Sequence, residues 1–167
     1  MHARIVCIVG KKKSGKTTFL EALIPALEAR GLSVGTVKHD AHSFEMDREG
    51  KDSWRHRQAG ARSVVVSSPT QLALIKQVER ERSLAEIAAE FMADRDVVLT
   101  EGYYRSAFPK VEVHRGAAHA APLTRAENTG PRNVLALATD VPLELGVPCF
   151  GLDEAPAVAR FLVQRLF

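Results

Sequence analysis

Residues 10–17 read Gly-Lys-Lys-Lys-Ser-Gly-Lys-Thr and fit G-x-x-x-x-G-K-[ST] at every fixed position. What stands on either side makes this octad a constraint on the fold. Before it, Arg4 to Val9 (RIVCIV) is a short, nearly continuous apolar run, as in a strand buried on both faces. After it, Phe19, Leu20, Leu23, Ile24 and Leu27 recur at helical spacing until Gly31, a suitable residue to follow a helix. Pro25 falls inside that helix, where it should kink it or remove a hydrogen bond. A strand, a glycine loop and a helix in this order turn successive backbone N–H groups inward on phosphate oxygens, with the helix's positive end behind them. Lys16 is the point charge that reaches β- and γ-phosphates, and the Thr17 hydroxyl is placed to ligate Mg²⁺. Gly10, Lys13, Ser14, Gly15 and Thr18 complete the expected nucleotide-binding set.

The charge distribution agrees with a compact polyanion as ligand. Residues 1–20 hold Arg4, Lys11, Lys12, Lys13 and Lys16 and no acid, for +5, whereas the other 147 residues hold 18 basic and 20 acidic side chains, for −2. A nucleic-acid binder spreads its positive charge along a face, so no nucleic-acid partner is expected. Lys11, Lys12 and Lys13 are read either as attraction to phosphate or as a solvated tip. No uncharged apolar run approaches the ~18 residues a membrane span needs, and the N-terminus leads straight into a strand, so a cytoplasmic protein is expected. Cys7 and Cys149 sit in apolar stretches and read as buried small hydrophobes.

The remainder alternates strands with helices. Strands are expected at Leu32–Val37, Val64–Val66, Leu72–Ile75, Asp96–Thr100, Lys110–His114, Asn133–Thr139 and Val147–Phe150. Helices are expected over about Lys51–Ala59, around Leu84, Ile87, Ala88 and Phe91, and from about Asp153. Lys110–His114 alternates as an exposed strand does, and 64–75 reads as a hairpin at a sheet edge. The expectation is an α/β P-loop NTPase fold: one domain over residues 1–167, its sheet mostly parallel, helices on both faces and an antiparallel edge hairpin.

Two strand ends carry carboxylates suited to such a site. Asp96 to Gly102 (DVVLTEG) places Glu101 at the C-terminal end of an apolar strand, where it can hold Mg²⁺ or polarise a water. Asp40, after the second strand, competes as the metal-side carboxylate. Asp140, behind Thr139, can accept two hydrogen bonds from the N1–H and 2-amino groups of guanine, a donor pair that adenine lacks.

The middle of the chain adds a more specific pattern. Thr36-Val37-Lys38-His39-Asp40-Ala41-His42, then Asp47, Gly50-Lys51-Asp52-Ser53-Trp54-Arg55 and Ala59-Gly60-Ala61, follow the P-loop in order. Glu101-Gly102, Lys110-Val111-Glu112-Val113 and Ala138-Thr139-Asp140 come after them. With these segments the chain resembles the MobB family of small P-loop GTP-binding proteins, through most of its length. The resemblance implies GTP and Mg²⁺ as cofactors, weak hydrolysis and a homodimer. It also implies an accessory role in attaching GMP to molybdopterin, with the nucleotidyltransferase of the same pathway as partner.

Lys38, His39, His42, Asp47, Lys51, Asp52 and Arg55 are read as a switch-like segment touching phosphate or a second ligand, with a solvated loop as the alternative. His39, His42 and His56 with Asp47 are poorly spaced for a dedicated metal site. Tyr103–Asn133 carries Arg105, Lys110, Arg115, Arg125 and Arg132 against Glu112 and Glu127, for +3, and reads equally as an anion-receiving loop or a plain one. No arginine finger can be assigned from sequence, so any hydrolysis through Lys16, Thr17 and Glu101 should be slow. Two other function classes stay open: a small-molecule kinase with Glu101 or Asp52 as base, and a binding module that the nucleotide switches without turnover.

Overall fold

The computed structural model describes residues 3–40, 44–124 and 133–167. These form two compact units, one of residues up to His39 and from Leu84 onward, the other of Asp40–Ser83. The first is built on a six-stranded parallel sheet in the order β2-β5-β1-β6-β7-β8. Its strands are β1 (Arg4–Val9), β2 (Val34–Lys38), β5 (Val97–Glu101), β6 (Lys110–His114), β7 (Val134–Thr139) and β8 (Cys149–Phe150). Its helices are α1 (Lys16–Glu28), α3 (Leu84–Phe91) and α4 (Ala155–Leu166).

Alternation along β1 explains why helices cover both faces. Val6 and Ile8 join Phe19, Leu20, Leu23 and Leu27 of α1 and Val158 and Leu162 of α4 in one buried cluster. Cys7 and Val9 point the other way and pack with Leu84 at the start of α3. Leu23 and Leu27 are fully buried, each stabilising the fold by about 1.5–3 kcal/mol relative to exposure. Pro25 does not end α1: it lies on the exposed face of the helix, which continues to Glu28. Gly31 follows the helix at φ +80°, a left-handed conformation suited to glycine.

The second unit holds α2 (Asp52–Gln58), β3 (Ser63–Ser67) and β4 (Leu72–Lys76). The strands pair antiparallel, Ser63 opposite Lys76 and Ser67 opposite Leu72. The expected hairpin is therefore present, but as a separate two-stranded sheet; β2 and β8 are the edges of the large one. Among the described residues no helix is long and apolar enough to cross a membrane.

Two expectations are corrected. The strand Lys110–His114 is buried along its whole length, lying between β1 and β7 inside the sheet. Its charges are tolerated because local groups satisfy them. Lys110 Nζ donates to the carbonyls of Ser106 (2.5 Å) and Phe108 (2.8 Å). The Glu112 carboxylate accepts from Leu123 N (2.5 Å), Thr124 N (2.8 Å) and Thr124 Oγ1 (2.6 Å). Cys149 is exposed rather than buried, because β8 is a two-residue edge strand; Cys7 is buried as expected.

Candidate functional site: the P-loop and the strand ends around it

All six strands of the large sheet run parallel, so their C-terminal ends meet at one edge, where ligands of open α/β sheets bind. There the chain leaves β1 at Gly10 and re-enters regular structure at Lys16. Gly10 has φ +151° and Gly15, the residue capping α1, has φ +94°. A Cβ at Gly10 would strike the Val113 carbonyl and the Ser14 hydroxyl, so the loop can pass β6 this closely only with glycine there. Lys13 also takes a positive φ, +65°, at the tip of the turn.

The side chains follow from this backbone. Lys16 Nζ folds over the loop and donates to the carbonyls of Gly10 (3.1 Å) and Lys11 (3.0 Å). Thr17 Oγ1 donates to Glu101 Oε2 at 3.1 Å, which joins the first turn of α1 to the end of β5. That contact follows from strand order: β5 lies directly beside β1, with Glu101 opposite Ile8. Ser14 is buried, and its Oγ has no hydrogen-bond partner. An ammonium folded over a glycine loop at a helix N-terminus fits an anionic ligand, and a hydroxyl beside a carboxylate supplies oxygen donors suited to Mg²⁺. Gly10, Ser14, Gly15, Lys16, Thr17 and Glu101 are thus brought together, while Lys13 and Thr18 are exposed on the tip and on α1.

Thr139 and Asp140 close the same edge at the end of β7. Thr139 is buried, and its Oγ1 accepts from Val141 N at 3.2 Å. Asp140 is exposed, and its Oδ1 accepts from Gly116 N at 2.7 Å. This bond holds the carboxylate through one oxygen.

Of the switch-segment residues, Lys38 ends β2 opposite Glu101. His39 N donates to the Glu101 carbonyl at 3.1 Å, and its ring lies 4.8 Å from that of Tyr103. Asp40 begins the second unit, and His42 lies outside the described residues. Within the second unit Asp47 is a structural hub. Its Oδ1 accepts from Arg48 N (3.0 Å) and Ser53 Oγ (2.9 Å), and Arg57 stands 3.7 Å from Oδ2. Lys51 caps α2; Asp52 and Arg55 form a 3.9 Å exposed pair of little energetic weight. Among the described residues no three His, Cys, Asp or Glu side chains gather in a metal-ligating group.

The structure also brings in residues that sequence reasoning did not single out as parts of the site. Arg115, the residue after β6, lies against Gly15, with Nη2 3.3 Å from where a Cβ there would stand. Lys11 Nζ donates to the Ala121 carbonyl at 2.6 Å, and His119 Nε2 lies 2.6 Å from the Lys12 carbonyl. His114 is buried with Nε2 unpartnered. Burial pushes its pKa below the ordinary histidine value, against the opposing pull of Glu112 and Asp140. The one sequence signal for this group was the excess of positive charge between Tyr103 and Asn133.

A parallel sheet, a glycine loop wrapped at the end of its central strand and a carboxylate on the next strand define an α/β protein of the P-loop NTPase type. The family model described as "Molybdopterin guanine dinucleotide synthesis protein B" matches residues 5–140. The chain belongs to this family, MobB. It is 37% identical over 162 residues to a molybdopterin-guanine dinucleotide biosynthesis adapter protein of Haemophilus influenzae, covering 95% of this chain and 87% of the relative. The adapter protein of Escherichia coli K12 is 36% identical over 157 residues, covering 90% and 86%. Among solved structures, Bacillus subtilis MobB superposes with a TM-score of 0.75 at 28% identity, covering 98% of both chains. A further structure of molybdopterin-guanine biosynthesis protein B superposes at 0.74 with 31% identity, covering 97% and 98%.

Proposed function

We propose that this chain is a GTP-binding accessory protein of molybdopterin guanine dinucleotide formation, with weak Mg²⁺-dependent GTPase activity. The observation that carries the reading is the 3.1 Å hydrogen bond from Thr17 to Glu101 beside Lys16 and the two positive-φ glycines. Phosphates would lie on the loop N–H groups and Lys16. Thr17 and Glu101 would hold Mg²⁺, which supplies charge neutralisation between the β- and γ-phosphates. Asp140 would read guanine through the oxygen that Gly116 does not occupy. The relatives' names support the pathway, with molybdopterin and a nucleotidyltransferase as the partners it implies. The reading places the protein in the cytoplasm.

Calorimetry with Mg²⁺-GTP and Mg²⁺-ATP tests this on wild type, Lys16→Ala and Asp140→Ala. The expected result is a guanine preference that the Asp140 variant loses, and no binding by the Lys16 variant. Equal affinity for the two nucleotides would sink the role of Asp140. Absence of any binding would sink the whole proposal.

We propose a homodimer as well. Val65, Val66 and Leu72 of the β3–β4 hairpin are more than half exposed, and a two-stranded sheet is marginal unless a further surface covers it. Light scattering should give twice the chain mass, with Val66→Lys reducing it to one; a monomeric wild type would refute this part.

A further inference from the structure

We propose that Arg115 is a phosphate-binding residue that holds the α- and β-phosphates of the nucleotide from the α1 end of the loop. The proposal rests on the nucleotide reading above and adds a residue that sequence could not assign to it.

Three observations carry it. First, the exposed guanidinium stands where an anion on the loop would meet it. A Cβ built at Gly15 would lie 3.3 Å from Arg115 Nη2 and 3.8 Å from Nε, so the planar group lies along the residue that caps α1. It therefore sits at the positive end of a helix, against the loop that carries Lys11 and leads into Lys16. Among the described residues no carboxylate ion-pairs with it, and its side chain makes no hydrogen bond. Like charges gathered at a helix N-terminus repel one another, and a polyanion that several of them share reverses the sign. Second, Ser14 Oγ is buried in the same loop without a partner, 2.6 Å from where a Cβ at Gly10 would stand. That is an unmet polar group under the loop, on the side of β6, the strand that Arg115 follows.

Third, the backbone under Arg115 is fixed in advance. Ala118 N (3.1 Å) and His119 N (3.0 Å) donate to the Arg115 carbonyl, forming a tight turn. Beyond it, His119 and Ala121 are tied to the P-loop tip through Lys12 and Lys11. Leu123 and Thr124 are tied back to β6 through Glu112. Asp140 holds Gly116 N from the neighbouring strand. An arginine on a preorganised turn loses less freedom on binding than one on a free loop.

The assignment to α- and β-phosphates follows from where Arg115 touches the loop. Loop N–H groups cradle those two phosphates, whereas Lys16 extends to β and γ. Arg115 therefore acts on GDP as much as on GTP, unlike an arginine that serves only the transferred phosphate.

Wild type, Arg115→Ala, Arg115→Lys and Lys16→Ala should be titrated with Mg²⁺-GDP and Mg²⁺-GTP by calorimetry, and with guanosine by NMR shift perturbation. Arg115→Ala should weaken GDP and GTP alike by about 10- to 100-fold, the effect of losing a charge-assisted pair. Its guanosine binding should stay at the wild-type level. Arg115→Lys should recover only part of the loss, since an ammonium lacks the planar fork. GDP affinity within about twofold of wild type in Arg115→Ala would overturn the proposal, as would an equal loss of guanosine, which marks a structural role. A loss confined to GTP would overturn the placement at α and β. If folded wild type bound neither nucleotide, the underlying reading would fail first; a wild type that binds, with Lys16→Ala silent and Arg115→Ala unchanged, isolates the failure to Arg115.

Discussion

Replacing Glu112 should loosen the wall of the site from inside the sheet, and the cost can be worked from the hydrogen bonds it makes. Its Oε2 accepts from Thr124 N and Thr124 Oγ1, and its Oε1 from Leu123 N. Glu112 and Thr124 are buried, while Leu123 is half-buried. In Glu112→Ala all three donors lose their acceptor. The Thr124 hydroxyl can rotate to another acceptor and Leu123 N can turn to water, but Thr124 N can do neither. At ~1–3 kcal/mol for a buried donor left unmet, and less for one that finds water, the total comes to about 3–5 kcal/mol. That is a large part of the ~5–15 kcal/mol a domain typically has. In Glu112→Gln the amide oxygen takes the Thr124 side and keeps two bonds. The NH₂ then faces Leu123 N–H, donor against donor, for about 1–2 kcal/mol.

Urea unfolding followed by far-ultraviolet circular dichroism measures both. The expected order is wild type, then Gln, then Ala; in a thermal melt the Ala variant should unfold about 6–20 °C lower, at ~2–4 °C per kcal/mol for a chain of this size. Two results refute the reasoning: both variants within about 0.5 kcal/mol of wild type, or Gln no better than Ala. The first would mean that Glu112 does not anchor the 123–124 turn. The second would mean that its shape, not its oxygens, matters.

Two shorter predictions concern pH and metal. His114 is held below its ordinary pKa by burial, so the folded state resists protonation that the unfolded chain accepts. Its contribution is complete above the unfolded value of 6.5 and is lost as pH falls from there toward the folded value. The urea midpoint should therefore drop between pH 7.5 and pH 5.5, and His114→Gln should flatten that slope; an unchanged slope in the variant would refute the assignment. Glu101→Gln should keep the hydrogen bond to Thr17 while removing the charge that would face Mg²⁺. GTP affinity measured with and without EDTA should then differ less in the variant than in wild type, and an undiminished Mg²⁺ effect would shift the carboxylate role to another residue.

How legible the site was depended on how local each relation is. Gly10, Lys16 and Thr17 were readable because one loop fixes their geometry, and an apolar run before it and a helical stripe after it fix the loop. Glu101 was readable from a general rule, since a carboxylate ending a buried strand comes close to the loop once β5 pairs with β1. Lys110–His114 misled for a physical reason. Alternating charge normally means one wet face, and here that face is dry because Ser106, Phe108, Leu123 and Thr124 provide the partners water would have supplied. None of those partners has a signature in sequence.

Arg115 was illegible as a site residue for a related reason. It stands a hundred positions from Gly15 in a segment with no periodicity, and only the insertion of β6 beside β1 brings the two together. The same strand thus does two things at once. Its interior holds Glu112, which fixes the turn beyond it, and its end delivers Arg115 to the loop. A buried carboxylate whose bonds hold the following turn is a means of placing a cation against the loop. On that account Glu112→Gln, though mild in stability, should weaken GDP binding in the same direction as Arg115→Ala. If the two variants proved independent in a double-mutant cycle, the turn would not be what positions the arginine.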